Sequence, residues 1–435
     1  MIRVAENQRP QSVPGPQDVV RHELPNGIVV LVRENHVVPT VSVVGALQVG
    51  SINTQPSKEG LAGFTAAALM RGAGQRTFAQ VFEALESVGA SLAFGAGSHA
   101  TTFSGQCLVE DLDLLLDLLR DALYTPAFPA DQIRKLRGEI ITGLQIQAHD
   151  TRHVSMNDFL KLAYPAEHLY SRNPAGSVDT VSAITRRDIV NFHHRYYGPR
   201  RMIIVVVGDV RAGEVLKKLE ATLGRWSAAP GAPDSQLSLP PLQPLTAAHE
   251  KHAFVPGKSQ SGLVLGAPGP CRSDPDYRAA RLANTILGVF GLMGRLGSEV
   301  RDRQGLAYYA YSVLRVAPGP APWFVTAGVS PDNVSRAVAS IRDQVRRMQD
   351  DIVPAEELAD NQSFLVGSLP LDLETNDGVS SLLLTMEMYN LGLDYLQRYP
   401  DMMREITAEQ IQAAVRKYLD ADRYALAVAG PEAAA

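Results

Sequence analysis

Ten histidines and two cysteines are the side chains of this 435-residue chain that could bind a metal or act as nucleophiles. Two histidines at i and i+4 on a helix share one face and can grip one ion. His149 and His153 have that spacing, in His149-Asp150-Thr151-Arg152-His153. No glutamate base and no third ligand accompany them, so the segment reads as a solvated polar turn. His193-His194 are adjacent, and His249 and His252 stand near a proline-rich stretch, again without matching carboxylates. Ser104-Gly105 and Ser261-Gly262 lack the G-x-S-x-G frame of a nucleophile elbow. The cluster Phe94-Gly95-Ala96-Gly97-Ser98 has no phosphate-loop lysine and reads as a hairpin or sheet edge. Cys107 and Cys271 are too few and too far apart for a disulfide framework or a cysteine metal site. They read as small buried apolar residues.

The elements around these residues belong to a large globular protein. Apolar residues make up 45% and charged residues 20%, enough for a sizeable core over two large or three ordinary domains. The charges, 41 Lys+Arg against 46 Asp+Glu, are spread along the chain, and no basic run suits a nucleic acid. No signal-peptide pattern and no run of 18 apolar residues occurs. The expectation is a soluble cytoplasmic protein without a membrane contact, or a periplasmic one if the natural chain begins earlier. Residues 1–18 are polar and proline-containing and read as a flexible arm. Asn26-Gly27 signals a hairpin leading into a strand from Ile28, and a second strand follows over 41–49. Helices are predicted over 58–72, 77–89 (Thr77 as N-cap, Gly89 past the end), 110–124, 130–148 and 211–225, with a buried strand over 201–207.

Residues 227–246 hold five prolines without periodicity and read as a linker and hinge. On either side, 19–226 and 247–432, the same order of elements recurs. An apolar helix (112–123 or 333–349) precedes a helix begun at Pro129 or Pro354. An Ile-Thr-x-x-x-Ile helix follows at Ile184 or Ile406, then a terminal strand. A duplicated α+β domain is the simplest account.

The stretch Gly50-Ser51 and Lys58-Glu59-Gly60-Leu61-Ala62-Gly63-Phe64-Thr65-Ala66-Ala67 resembles the signature helix of the pitrilysin/insulinase family of zinc peptidases. That helix carries H-x-x-E-H: two zinc-ligating histidines and a glutamate general base. Carried over, the first histidine falls at Gly63, the glutamate at Ala66 and the second histidine at Ala67. The distal glutamate ligand falls at Leu144, or at Gly143 or Gln145 in a shifted register. Glu139 matches a nearby family glutamate. The resemblance thus implies a scaffold whose zinc site is lost.

Residues 291–312, GLMGRLGSEVRDRQGLAYYAYS, resemble the family's C-terminal segment. Leu292–Gln304 is predicted as a helix, stopped by a left-handed Gly305 and followed by an apolar contact at Leu306. Tyr308, Ala310 and Ser312 then alternate with Ala307, Tyr309 and Tyr311 along a strand. Arg301 and Tyr308 match the family's Arg/Tyr pair, which binds the substrate backbone and can stabilise the oxyanion.

From the resemblance follow two homologous α/β-sandwich domains, each a mixed, mostly antiparallel sheet packed with helices. Joined by the proline-rich linker, they would form half of a clam-shell chamber. It also implies a chain that is not catalytic alone: the substrate-binding, zinc-less subunit of a heterodimeric zinc metalloendopeptidase. It would bind no cofactor itself; a homologous H-x-x-E-H subunit would hold zinc, and peptides or unfolded polypeptides would be cleaved in the enclosed chamber. The alternatives are a structural or assembly subunit, or a homodimeric peptide-binding module without proteolytic role.

Overall fold

A computed structural model describes residues 13–227, 239–289 and 294–431. Residues 1–12 of the expected arm, 228–238 of the linker and 290–293, which include the first two residues of the predicted helix, lie outside them.

Residues 20–208 build a six-stranded sheet. Strand β1 (Val20–Glu23) turns into β2 (Val29–Glu34), with Val20 opposite Val32. Gly27 takes φ +89°, the conformation an Asn-Gly turn needs. Strand β3 (Thr40–Leu47) leads into helix α1 (Leu61–Ala68), a small hairpin of β4 (Gly72–Ala73) and β5 (Arg76–Thr77), and α2 (Phe78–Glu86). The Thr77 side chain caps α2 by accepting from the Gln80 amide. Helix α1 is shorter than the predicted 58–72 because Gly60 and Gly72 both take positive φ and break the helix. Strands β6 (Ser91–Ala96) and β7 (Thr101–Leu108) form a hairpin, as the glycine cluster suggested. Helices α3 (Leu112–Tyr124), α4 (Ala130–Gln147), α5 (Thr151–Ala163), α6 (Val178–Ala183) and α7 (Arg186–Tyr196) precede β8 (Met202–Gly208) and α8 (Ala212–Leu223). The order is β1-β2-β8-β3-β7-β6, with β2 and β8 parallel and the other pairs antiparallel.

The second sheet comprises β9 (His249–Phe254), β10 (Ser261–Pro268), β11 (Ala307–Leu314), β12 (Pro322–Val329) and β13 (Ala425–Gly430). Helices α9 (Tyr277–Leu287) and α10 (Gly294–Leu296) lie between β10 and β11. Helices α11 (Val334–Asp350), α12 (Ala355–Asp372), α13 (Asn376–Met388), α14 (Tyr395–Arg404) and α15 (Ala408–Tyr418) lie between β12 and β13. Its order, β11-β12-β10-β13-β9 with β9 and β13 parallel, reproduces β6-β7-β3-β8-β2. The repeat read in the sequence is therefore a repeat of topology. The Pro-initiated helices are α4 and α12, and the Ile-Thr helices are α7 and α15, with Thr185 and Thr407 as N-caps.

The halves exchange a helix. Helix α5 of the first half packs on β10 and β13, and its counterpart α13 packs on β3 and β8. This explains why β8, Met-Ile-Ile-Val-Val-Val-Gly, is buried at every position: each face of the strand is covered. Leu31, Val205 and Val207 consequently share one apolar cluster with Leu383 and Leu384. Polar contacts fix the docking. Ser42 and Ser380 hydroxyls lie 2.9 Å apart, Asn376 Nδ2 donates to Thr40 O at 3.1 Å, and Asn35 Nδ2 donates to Asn376 Oδ1 at 2.7 Å. On the other side Lys251 Nζ pairs with Asp158 at 2.7 Å.

The exchange overturns the expectation of a hinge at the linker. Rotation there would uncover both sheet faces at once. The described end of the linker is also packed: Leu239, Leu242 and Leu245 lie against the Phe159–Tyr164–Tyr170 cluster. Residues 13–18 are likewise anchored, through Gln397 to Gln17 (3.0 Å) and Arg33 to Asp18 (2.9 Å). No helix among the described residues is long and apolar enough to cross a membrane.

Candidate functional site

Helix α1 presents Gly63 and Ala67, four residues apart, as partly exposed positions, whereas Ala66 is fully buried. A Cβ added at Gly63 would meet only Pro174 O, at 4.0 Å. Helix α4 packs against α1 and buries Leu144. These positions hold no imidazole and no carboxylate, and the face has closed over Ala66. Among the described residues no group of three or more His, Cys, Asp or Glu side chains could hold a metal. The residues at this place do not fit a zinc ion. Glu139 is turned to structural use: Arg71 forks onto its carboxylate and lies 4.8 Å over the Phe78 ring.

Beside this face lies a pocket of about 580 Å³, lined among others by Glu59, Leu144, Gln147, Lys161, Arg172 and Asn173. Burial raises the Glu59 pKa, and the charges of Arg172 and Lys161 oppose that rise. Sequence reading missed Glu59 and Arg172 as pocket residues. They come from separate connections and carry no shared spacing.

The second candidate place is the approach to β11. Residues before it do not form the α-helix predicted from Leu292; Leu292 itself lies outside the described residues. One α-helical turn, α10, runs into a wider π-helical segment, Gly297–Arg303. The predicted stop holds. Gly305 takes φ +63°, with Gly305 N donating to Arg301 O and Leu306 N to Val300 O, both at 3.0 Å. Leu306 is buried, as expected.

The strand alternation does not hold at Tyr308. The register against β12 shifts between Ala307 and Tyr309: Ala307 faces Val329, and Tyr309 faces the neighbouring Gly328. Tyr308 is the extra residue of a β-bulge. A bulge re-aims the inserted side chain, and Tyr308 is 76% exposed although Ala310 and Ser312 are buried. Arg301, on the π-helical segment, is partly exposed, and among the described residues its side chain bonds only Asp302, at 3.4 Å. Tyr309 is engaged instead: Arg152 Nε donates to its hydroxyl at 3.2 Å and stacks over its ring at 4.7 Å. Arg301 and Tyr308 thus both keep donors available, one a planar charged fork and one a single hydroxyl.

The other histidines have structural places. His149 and His153 are exposed, and Asp150 between them caps α5 by accepting from the Arg152 and His153 amides. The segment read as a turn therefore starts the exchanged helix. His193 is buried, donates Nε2–H to Leu123 O at 2.9 Å, and is driven by desolvation to a pKa of about 4. His249 and His252 are exposed on strand β9. Cys107 is buried, and burial pushes its thiol up to about 12; Cys271 is only partly buried, unlike the expectation.

Comparison with known proteins places the chain by family and fold. Residues 29–171 match the family described as Insulinase (Peptidase family M16), and residues 183–365 match the Peptidase M16 inactive domain. An uncharacterized zinc protease of Mycobacterium leprae is 27% identical over 95% of this chain and 92% of its own. A probable mitochondrial-processing peptidase subunit beta of Arabidopsis thaliana is 24% identical over 67% of this chain and 55% of its own. The crystal structure of a peptidase M16 inactive domain from Pseudomonas fluorescens has a TM-score of 0.88 at 26% identity, covering 96% of this chain and 98% of that one. A Helicobacter pylori protease shares the fold, with a TM-score of 0.88 at 19% identity over 95% of this chain and 99% of its own.

Proposed function

The chain belongs to the M16, insulinase-type peptidase family, and from that premise we propose that it is the zinc-less, substrate-binding subunit of a heterodimeric metalloendopeptidase. The observation that carries the reading is Tyr308, lifted out of β11 by a bulge to 76% exposure, seven residues along the chain from Arg301, whose side chain has only Asp302 as a partner among the described residues. A chain serving packing alone has no use for a bulge that takes a tyrosine out of its core. The degenerate positions Gly63, Ala66, Ala67 and Leu144 support the same division of labour, because zinc then belongs to a homologous H-x-x-E-H partner.

In this reading Arg301 holds the substrate backbone with its guanidinium donors. The Tyr308 hydroxyl donates to the scissile carbonyl oxygen as negative charge develops there. Short or unfolded peptides are the substrates, and hydrolysis takes place only in the complex. The test is reconstitution with each zinc-bearing homologue encoded in the same genome, followed by a fluorogenic peptide assay. Stable association with stimulated hydrolysis supports the proposal. Failure of every homologue to associate or to gain activity rejects it and leaves the structural-subunit or homodimer readings.

A further inference from the structure

The β6–β7 turn and the β11–β12 loop are counterparts in the two halves, and they meet. Around them lies a pocket of about 440 Å³, within the range that takes a small ligand. Its chemistry is one-sided. Arg172, Arg315 and His99 line it, and no carboxylate does among the described residues.

The donors there are unspent. Arg315 makes no ion pair among the described residues; its guanidinium lies 5.7 Å from the centre of the Phe324 ring. Its side chain is accessible to solvent, yet desolvation lowers its pKa. A cation set in a concave wall behaves in this way, crowded by protein and still open to a ligand. Among the described residues the Arg172 side chain bonds only carbonyl oxygens, Thr54 O at 3.4 Å and Glu167 O at 3.2 Å, and forms no ion pair. Its Nε is buried without a hydrogen-bond partner among the described residues. Glu59, in the adjoining pocket, feels the Arg172 charge without bonding it. His99 Nε2 lies 2.7 Å from the Tyr170 hydroxyl, which also takes a hydrogen bond from the Gly319 backbone. Burial keeps His99 neutral, its pKa drawn down to about 4. In the tautomer in which the tyrosine donates to Nε2, Nδ1–H is left as a further donor. The remaining wall is mostly apolar, with Leu160, Pro174, Val316, Pro318 and Met388, beside the hydroxyls of Ser98 and Thr102.

Such a site suits an anionic head on an apolar body. Its position narrows the choice. It shares Leu160 and Arg172 with the 580 Å³ pocket beside Leu144. A peptide lying in the larger pocket reaches the smaller one with an end, and the end that carries negative charge is the C-terminus. We propose that the pocket between the two hairpins anchors a peptide by its C-terminal carboxylate, with an apolar last side chain against Leu160 and Val316. The proposal rests on the peptide-binding reading above.

The experiment uses the full chain alone, without a partner. Binding of N-acetyl-Ala-Leu-Phe is measured by calorimetry for the free acid and for its C-terminal amide. The acid should bind at least tenfold more tightly, the effect of one hydrogen bond between charged groups. Arg315→Gln should abolish that preference with an unchanged melting curve, because Arg315 has no ion pair to lose. Arg404→Ala, exposed on α14 and outside both sites, should leave the preference intact. Equal affinity of acid and amide, no binding of either, or a preference that survives Arg315→Gln overturns the proposal. Displacement of the acid by inorganic phosphate at comparable affinity also overturns it, because that marks a generic small-anion site. The two readings fail separately. An acid preference in a chain that stimulates no peptidase keeps the pocket and rejects the heterodimer. An active heterodimer without acid preference does the reverse.

Discussion

Tyr308→Phe is the sharpest perturbation of the proposed substrate site. The ring is 76% exposed and its hydroxyl has no partner among the described residues. Removing that hydroxyl should change stability by no more than about 0.5 kcal/mol, the usual range for a surface change. If the hydroxyl donates to a developing oxyanion, its loss should lower kcat by about 10²–10³-fold, or roughly 2.7–4 kcal/mol. Two orders of magnitude in turnover against almost nothing in stability separates a functional tyrosine from a packing one. Tyr309→Phe supplies the opposite control. It breaks the 3.2 Å bond from Arg152, should cost about 0.5–1.5 kcal/mol, and should leave turnover alone. The assay is hydrolysis of a fluorogenic peptide by the reconstituted complex, with kcat and KM resolved, beside thermal melts of the isolated chain. A Tyr308→Phe variant within twofold of wild type in both constants would refute the reasoning. So would a fall of several degrees in Tm with activity intact.

Leu383→Ala, in the fully buried face of α13, should destabilise by about 2–5 kcal/mol. Because α13 covers the other half's sheet, Trp226 and Trp323, one in each half, should report the same shifted midpoint in single-tryptophan variants; two separated midpoints contradict the interlocked core. His193 has a folded pKa of about 4 against about 6.5 unfolded, so the unfolded chain binds the extra proton between those values. Stability should therefore be full above pH 6.5 and fall by up to roughly 3 kcal/mol as pH drops to 4. Denaturant titrations of wild type and His193→Gln at pH 7 and 4.5 check this, and an equal pH loss in both proteins would exclude His193 as the source. Gly63→His should be tolerated, since the position is partly exposed and a Cβ there has only Pro174 O within reach, at 4.0 Å, whereas Ala66→Glu should cost several kcal/mol by burying a carboxylate. Equal melting temperatures for these two variants would show that the α1 face has not closed.

What sequence reading captured were features written in local chemistry. Asn26-Gly27, the Thr77 cap, the Pro129 and Pro354 helix starts and the left-handed Gly305 each act within a few residues, and each holds in the structure. The exchanged helices escaped it. Helix α5 buries Ser155 and Asp158 beside Phe159 and Leu160, and α13 buries Asn376 and Ser380 beside Leu383. Their polar contacts to the opposite sheet interrupt the apolar stripe by which a helix is recognised. The bulge at Tyr308 is set by pairing with β12; its one trace in the sequence is the doubled Tyr308-Tyr309 within an otherwise small–large alternation. The pocket between the hairpins needs Arg172 and Arg315 to meet, and no spacing rule joins residues from different halves.

The helix exchange also sets a timetable for biosynthesis. Strand β8 leaves the ribosome with one apolar face uncovered, and the helix that will cover it, α13, begins only at Asn376. At about 5–20 residues per second the nascent chain holds that face open for on the order of ten seconds. Helix α5 is already made by then and has no sheet of its own until β10 and β13 exist. The topology makes α5 the counterpart of α13, so an early chain has a near-equivalent helix at hand to lay on the wrong sheet. Production of this protein should therefore respond to translation speed and to chaperones that shield β3 and β8, and neither half expressed by itself has its full complement of helices.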